Sequence, residues 1–279
     1  MIRAEALGRL KDGAATLVAL SELLASRRVS PRAVGAALGS AIEACEVAEE
    51  AGAALGADVL AAARSYKEAS AEIRALFEGM TAALQALSSE VASAERAPVD
   101  ARARLALERA ANDACARVAA GLFTGELFAL ASAPRPVTVR VVDVLGFGPV
   151  LPEGPQVVRA TLDVPMEPIT TADARLTRSL VEMCVLLVAG AGVPRPHVEV
   201  MLGRPGGARV RVREQGQRGA AGPSSSRSGA TSPAQGTVLT VRRLVWPAGG
   251  REVLRAAASM GGVSAAVDPS GRGAVLELP

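Results

Sequence analysis

The sequence predicts an α+β protein, an N-terminal antiparallel helical bundle or coiled coil followed by an α/β sandwich. Three observations predict it. Residues 1–134 repeatedly set apolar side chains three and four residues apart, the spacing of one helix face. At Pro134 to Pro136 this pattern gives way to β-branched runs bounded by Gly and Pro. Beyond that point helical and strand-like segments alternate. A chain of 279 residues is long enough for two cores, so the boundary is placed there: 1–134 helical, 135–279 the sandwich.

The first helix starts near Leu7 and carries Leu10, Ala14, Leu17, Ser21 and Leu24 on one seam. Ser30-Pro31 is a strong start for the second, because a hydroxyl caps free amides and proline fits the first turn. Val34, Leu38, Ile42 and Cys45 form its stripe, and it is expected to reach about Leu55. Asp58 is read as the cap of a third helix, with Ile73, Leu76, Met80, Leu84, Leu87 and Val91 buried and an end near Ala94 before Pro98. A fourth carries Leu105, Cys115, Val118, Leu122 and Leu130. Short connections imply antiparallel neighbours. The narrow, alanine-rich seams suggest that a second copy of the chain covers them, giving a homodimer.

In the second part, strands are expected at Val137–Val144 and Val157–Val164, and a helix at Thr171–Ala189. Strands His197–Leu202 and Ala208–Arg213 follow, then a flexible Gly/Ser-rich loop over 214–236. A strand Thr237–Trp246, a helix Arg251–Met260 and a hairpin of Val263–Val267 with Ala274–Leu278 close the chain.

Composition excludes several function classes. Lys11 and Lys67 are the only lysines among 31 basic residues, a bias first attributed to a GC-rich genome. The net charge is +3. Residues 1–134 hold 14 basic and 17 acidic side chains, the remainder 17 and 11, so the parts carry about −3 and +6. That is too little for a nucleic-acid surface, and aromatics at 2% leave few stacking platforms. The alternating Arg209, Arg211 and Arg213, with Arg204 nearby, form a basic strip that an acidic protein could meet. Cys45, Cys115 and Cys184 are isolated core thiols, supporting neither a disulfide framework nor a metal centre. No stretch reads as a secretion signal or a membrane span. A cytoplasmic location is expected. No Ser, His and Asp set, catalytic carboxylate pair or phosphate-loop lysine is present. His197, the only histidine, is read as structural.

Ala172-Asp173-Ala174-Arg175-Leu176, then Val210-Arg211-Val212-Arg213-Glu214-Gln215-Gly216, Met260-Gly261-Gly262-Val263 and Gly271-Arg272-Gly273 running to Leu278-Pro279, resemble in order and spacing the ATP-binding domain of sensor histidine kinases, the GHKL superfamily. The match covers about half the chain. The resemblance implies a nucleotide pocket formed by Glu214, at the adenine-reading position, with Gly216, Gly271 and Gly273.

It also implies that the pocket is degenerate. The metal-holding asparagine of the family falls at Leu186, with Glu182 one turn before, and leucine has no oxygen for a hard cation. The glycine pair becomes Gly216 and Arg218, and residues 1–134 contain no histidine to accept a phosphoryl group. Phosphoryl transfer relies on positioning and on the metal's charge, so most of the rate is lost with the metal ligand. The expectation is a non-catalytic pseudo-histidine kinase. It needs no metal, ATP being the one cofactor left open, and it acts as an adaptor for a receiver domain or another kinase. The alternatives are a nucleotide-binding switch and a structural coiled-coil assembly protein. Asn112, the only asparagine, lies among the helices and does not restore the metal site.

Overall fold

The computed structural model describes residues 2–26, 31–96, 101–146, 157–164, 167–203, 207–214, 237–242, 244 and 250–279. By internal contacts the chain divides into two compact units, Met1–Ser132 with Leu244–Ala256, and Ala133–Arg243 with Ala257–Pro279.

The first unit is built on four helices, α1 Ala4–Ala25, α2 Pro31–Ala62, α3 Lys67–Arg96 and α4 Ala101–Ser132. Each of α1 and α3 packs on both α2 and α4, and α2 and α4 also meet across the diagonal. Side-chain pairs fix the antiparallel sense. Arg3 reaches Asp58 and Arg9 reaches Glu50 between α1 and α2, Gln85 reaches Glu49 between α2 and α3, and Lys11 reaches Glu126 between α1 and α4.

Periodicity located the helices, but the seams are partly other residues. In α1 the buried positions are Leu10, Gly13, Leu17, Leu20 and Leu24, with Gly13 and Leu20 in place of Ala14 and Ser21. Val34 and Ile42 in α2 are half-buried, and Ala41, Ala44, Ala48 and Ala51 hold the seam. In α4 Leu105 is 47% exposed and Cys115, Leu122 and Leu130 are half-buried. The buried stripe there is Leu107, Ala111, Ala114, Val118, Gly121, Gly125 and Phe128. Glycine in the stripe lets neighbouring helices approach α4 closely: an added Cβ at Gly121 would lie 3.0 Å from Met80 Sδ of α3, and one at Gly125 would lie 2.8 Å from Leu55 Cδ2. Small residues give a weak apolar signal in sequence.

Asp58 caps nothing. α2 runs through it, and its carboxylate accepts from the Arg3 backbone N–H at 3.0 Å and from Arg3 Nε at 2.9 Å. α3 therefore begins at Lys67 and spans about 45 Å at 1.5 Å per residue. Ser30 and Pro98 lie outside the described residues.

The seams that suggested a second chain, among them Leu10, Leu24, Ile73, Leu87 and Val91, are at most 2% exposed within this one chain. α4 is long and apolar enough to cross a membrane by length and composition, with a mean hydropathy of 1.4 in its best window. Half of that window is buried in the bundle, as expected of a core helix.

The second unit holds β1 Val137–Arg140, α5 Val141–Gly146, β2 Val157–Asp163, β3 Ile169–Ala172, α6 Ala174–Gly190, β4 Pro196–Leu202, β5 Ala208–Glu214, β6 Thr237–Arg242, α7 Arg251–Met260, β7 Ser264–Val267 and β8 Gly273–Leu278, the first turns of α7 grouping with the helical unit. Six strands form a mixed sheet in the order β6-β2-β4-β5-β8-β7, parallel only between β2 and β4, with α6 as the crossover that parallel pairing requires. Alternate residues are buried: Val158 and Ala160, Val198 and Val200, Val210 and Val212, Ala274 and Leu276.

Two segments differ from expectation. Val137–Val144 is not one strand. It turns into α5 at Val141, where Val141 and Leu145 are buried one turn apart and Arg140 clips Asp143 at 2.9 Å; burial at helical spacing overrides the strand propensity of the valines. Ile169–Ala172, whose last two residues are read from sequence as the start of a helix, is a strand paired with β1 from Val137↔Ala172 to Arg140↔Ile169. α6 starts one residue after its cap, Asp173, whose carboxylate accepts from Leu176 N at 2.9 Å. α7 ends at Met260 and is closed by Gly262, with φ of 75°, where Val263 N donates to Ala258 O and Gly262 N to Ser259 O. This left-handed stop needs glycine.

Candidate functional site

β5 and β8 bring three of the four residues that the resemblance assigns to a nucleotide pocket to one end of the sheet. Glu214 ends β5 opposite Pro196, and Gly273 starts β8 opposite Arg213. Gly271 lies in the turn just before, with φ of 74°. Gly216, Arg218 and most of the loop over 214–236 lie outside the described residues, as does Arg204.

The local bonding accounts for each residue. Glu214 Oε2 stands 3.5 Å from Arg272 Nη2, so its carboxylate already has a cation. Asp268 organises the hairpin: its Oδ1 accepts from Ser270 N at 2.7 Å, its carbonyl accepts from Gly271 N, and its own N–H donates to Gly273 O, both at 2.8 Å. Gly271 takes a left-handed conformation that this turn demands. Leu186 is 5% exposed on α6, and Glu182 accepts from Arg178 Nε at 2.8 Å. Among the described residues no group of three or more His, Cys, Asp or Glu is placed to hold a metal.

The arginine strip is largely neutralised by neighbours that are distant in sequence. On the less buried face of the sheet Arg209 lies 2.5 Å from Glu277, and Arg213 3.2 Å from Glu199. Arg211, between them, makes no ion pair among the described residues. Cross-strand pairing of opposite charges stabilises a sheet, and of the three described arginines of the strip it leaves Arg211 for a partner.

The same face joins residues that no sequence pattern linked. His197 Nδ1 is 2.8 Å from Thr161 Oγ1, and its Nε2 is 4.0 Å from Asp163 Oδ2. Hydroxyl, imidazole and carboxylate are in a nucleophile's order. The carboxylate distance, however, is beyond hydrogen bonding, so the three form a cross-strand polar cluster rather than a hydrogen-bonded triad.

An arginine-lined cavity of about 590 Å³ lies between β1, α5 and α6, with Arg140, Arg175 and Arg178 at its wall. Arg140 is paired with Asp143 and Glu167, and Arg178 with Glu182. Arg178 Nη1 is buried without a hydrogen-bond partner. The lining suits an anionic group, but its charge is already mostly balanced by the protein's own carboxylates.

A second open feature is on the helical unit. Between α2 and α3 a groove of about 450 Å³ is floored by Gly56 and Phe77 and walled by Ala53, Ala57 and Ala82. It continues past Gln85 into a more polar stretch of about 500 Å³ that carries Glu46, Glu49 and Arg96. Sequence reading missed it, because the groove follows from which side chains are small on two helices facing each other.

No family model matches the chain, and no curated protein matches it significantly.

Proposed function

We propose that the protein is a non-catalytic signalling adaptor, a pseudo-histidine kinase of GHKL type that acts through protein–protein contacts in the cytoplasm. The observation that carries the reading is the Arg272–Glu214 pair. A carboxylate meant to read an adenine amino group is held instead by a guanidinium of the adjoining turn. Leu186, buried on α6, adds no oxygen for a metal. The partner is a receiver domain or another kinase, whose surface charge must suit an acidic helical bundle. Homodimerisation belongs to the same proposal, through a surface other than the covered seams.

A nucleotide-binding switch is the second reading, favoured by the convergence of Glu214, Gly271 and Gly273 at one sheet end. Titration with a fluorescent ATP analogue up to millimolar concentration, with and without magnesium, separates the two. The adaptor predicts no saturable binding. Magnesium-dependent saturation would sink it and establish the switch. Concentration-dependent assembly with neither nucleotide nor partner is the outcome that a structural role predicts.

A further inference from the structure

The two helical hairpins, α1–α2 and α3–α4, echo each other in sequence. Leu17, Ala19, Leu20 and Ser21 recur 67 residues on as Leu84, Ala86, Leu87 and Ser88, and Ala44 and Cys45 recur 70 residues on as Ala114 and Cys115. The buried seams obey the same shifts: Ala6, Leu10, Gly13 and Leu17 match Ile73, Phe77, Met80 and Leu84, and Ala41, Ala44 and Ala48 match Ala111, Ala114 and Val118. The bundle therefore has two equivalent outer grooves, α1/α4 and α2/α3.

They are not equally filled. On α4 Phe123 is half-buried one turn before Glu126, which clips Lys11 of α1 at 2.6 Å. The equivalent positions at α2/α3 are Ala53 for Phe123, Gly56 for Glu126 and Glu78 for Lys11. Where one helix pair has an aromatic side chain and an ion pair, the other has a methyl group, a hydrogen and a carboxylate. Glu78 is exposed and makes no ion pair among the described residues, with Arg74 one turn before it in the same lining. The groove runs on toward Glu46 and Glu49, with Arg96 in the same lining, so along its length three carboxylates stand with two guanidinium groups, Arg74 and Arg96.

We infer that the α2/α3 groove is the docking site for an amphipathic helix of a partner protein, one that lays a Phe or Leu over Ala53 and Ala57 and brings a Lys or Arg to Glu78. The chemistry missing from this groove, judged by its twin, defines the occupant. Helix-in-groove recognition reads such anchors at helical spacing, and the charges set orientation and discrimination. The inference deepens the adaptor reading and rests on it for the meaning of the contact. The groove itself is independent of the sheet unit.

The test uses the full chain and a labelled synthetic amphipathic peptide with a Leu/Phe face flanked by lysines, beside a twin with every lysine replaced by glutamate, followed by fluorescence anisotropy. The lysine peptide is expected to saturate at micromolar concentration, with its twin at least about tenfold weaker. Ala53→Phe, which puts an aromatic ring where Ala53 lines the groove, and Glu78→Lys are each expected to weaken binding about tenfold or more. Ala53 and Glu78 are exposed, so circular dichroism and Tm should hold. Absence of saturation, equal binding of the twin, or undiminished affinity in both variants overturns the site. A doubled solution mass that Ala53→Phe returns to monomer overturns it too, by making the occupant a second copy. Nucleotide binding in the ATP titration would remove the adaptor reading while leaving these peptide results intact, so the two failures are distinguishable.

Discussion

Gly56 lies under the ring of Phe77, where an added Cβ would stand 2.9 Å from Cγ and 3.2 Å from both Cδ atoms. Gly39, on the same helix, has nothing within 4 Å of that point. Alanine is the better helix former by about 1 kcal/mol, so Gly39→Ala should stabilise by up to that amount. Gly56→Ala should destabilise by about 1 kcal/mol, because overpacking a tight contact costs about 1–3 kcal/mol; urea unfolding of the two variants reads both signs. Titration gives a second pair of opposite signs. Burial lifts the Glu72 carboxyl above its ordinary value, although the backbone N–H groups of Val253 and Glu252 pull the other way. Asp58 is held below its ordinary value, first by its hydrogen bond with Arg3. A raised folded value means that Glu72 contributes stability fully present below its unfolded value and lost as pH rises through the folded one. Asp58 contributes stability present above its unfolded value and lost as pH falls through its lowered folded one. Unfolding free energies of Glu72→Gln against the parent should therefore diverge as pH crosses from the ordinary carboxylate value to the raised one, the parent losing ground at higher pH. Burial also pushes the Cys45 thiol up to about 11 and raises Cys184. Alkylation at pH 8 should thus reach Cys45 and Cys184 only in denaturant, as peptide mass spectrometry would record.

At the scale of elements, Asp173 ties two segments together. Its carboxylate caps α6 through Leu176 N and also accepts from Arg135 N at 2.7 Å. Asp173→Ala should cost about 1–2 kcal/mol, the usual range for a lost cap, read as a fall in the denaturation midpoint. Asp173 was singled out in the sequence, but as part of a helix entry, and the strand before it went unseen. β3 is four residues long and exists because β1 pairs with it, a partner that local propensity cannot supply. Leu105 shows the converse error: a large apolar residue at helical spacing draws the seam toward itself, whereas the buried stripe is Ala111, Ala114 and Gly121, the last set against Met80 and Phe77 of α3.

For the molecule as a whole, the covered seams bear on assembly. If a dimer forms, Leu10, Leu24 and Ile73 are not its interface, and Leu24→Glu should unfold the bundle rather than release a folded monomer; light scattering alongside circular dichroism distinguishes the two. The same scale explains why so little of the candidate site was legible. Glu214, Gly271 and Gly273 were named from sequence order, yet the partner that occupies Glu214 is Arg272, and Asp268 is what shapes the turn. Arg209 and Arg213 looked like free charge until Glu277 and Glu199 were brought across the sheet. What the sequence by itself determined is the class and order of elements: four helices from 3,4 spacing, then alternating helix and strand from β-branched runs and glycine stops, because these depend on neighbours within a few residues. What only the tertiary structure decided is which faces are covered, which charges are spent and which of two equivalent grooves stays open, because each depends on the size and charge of side chains that meet only after the chain has folded.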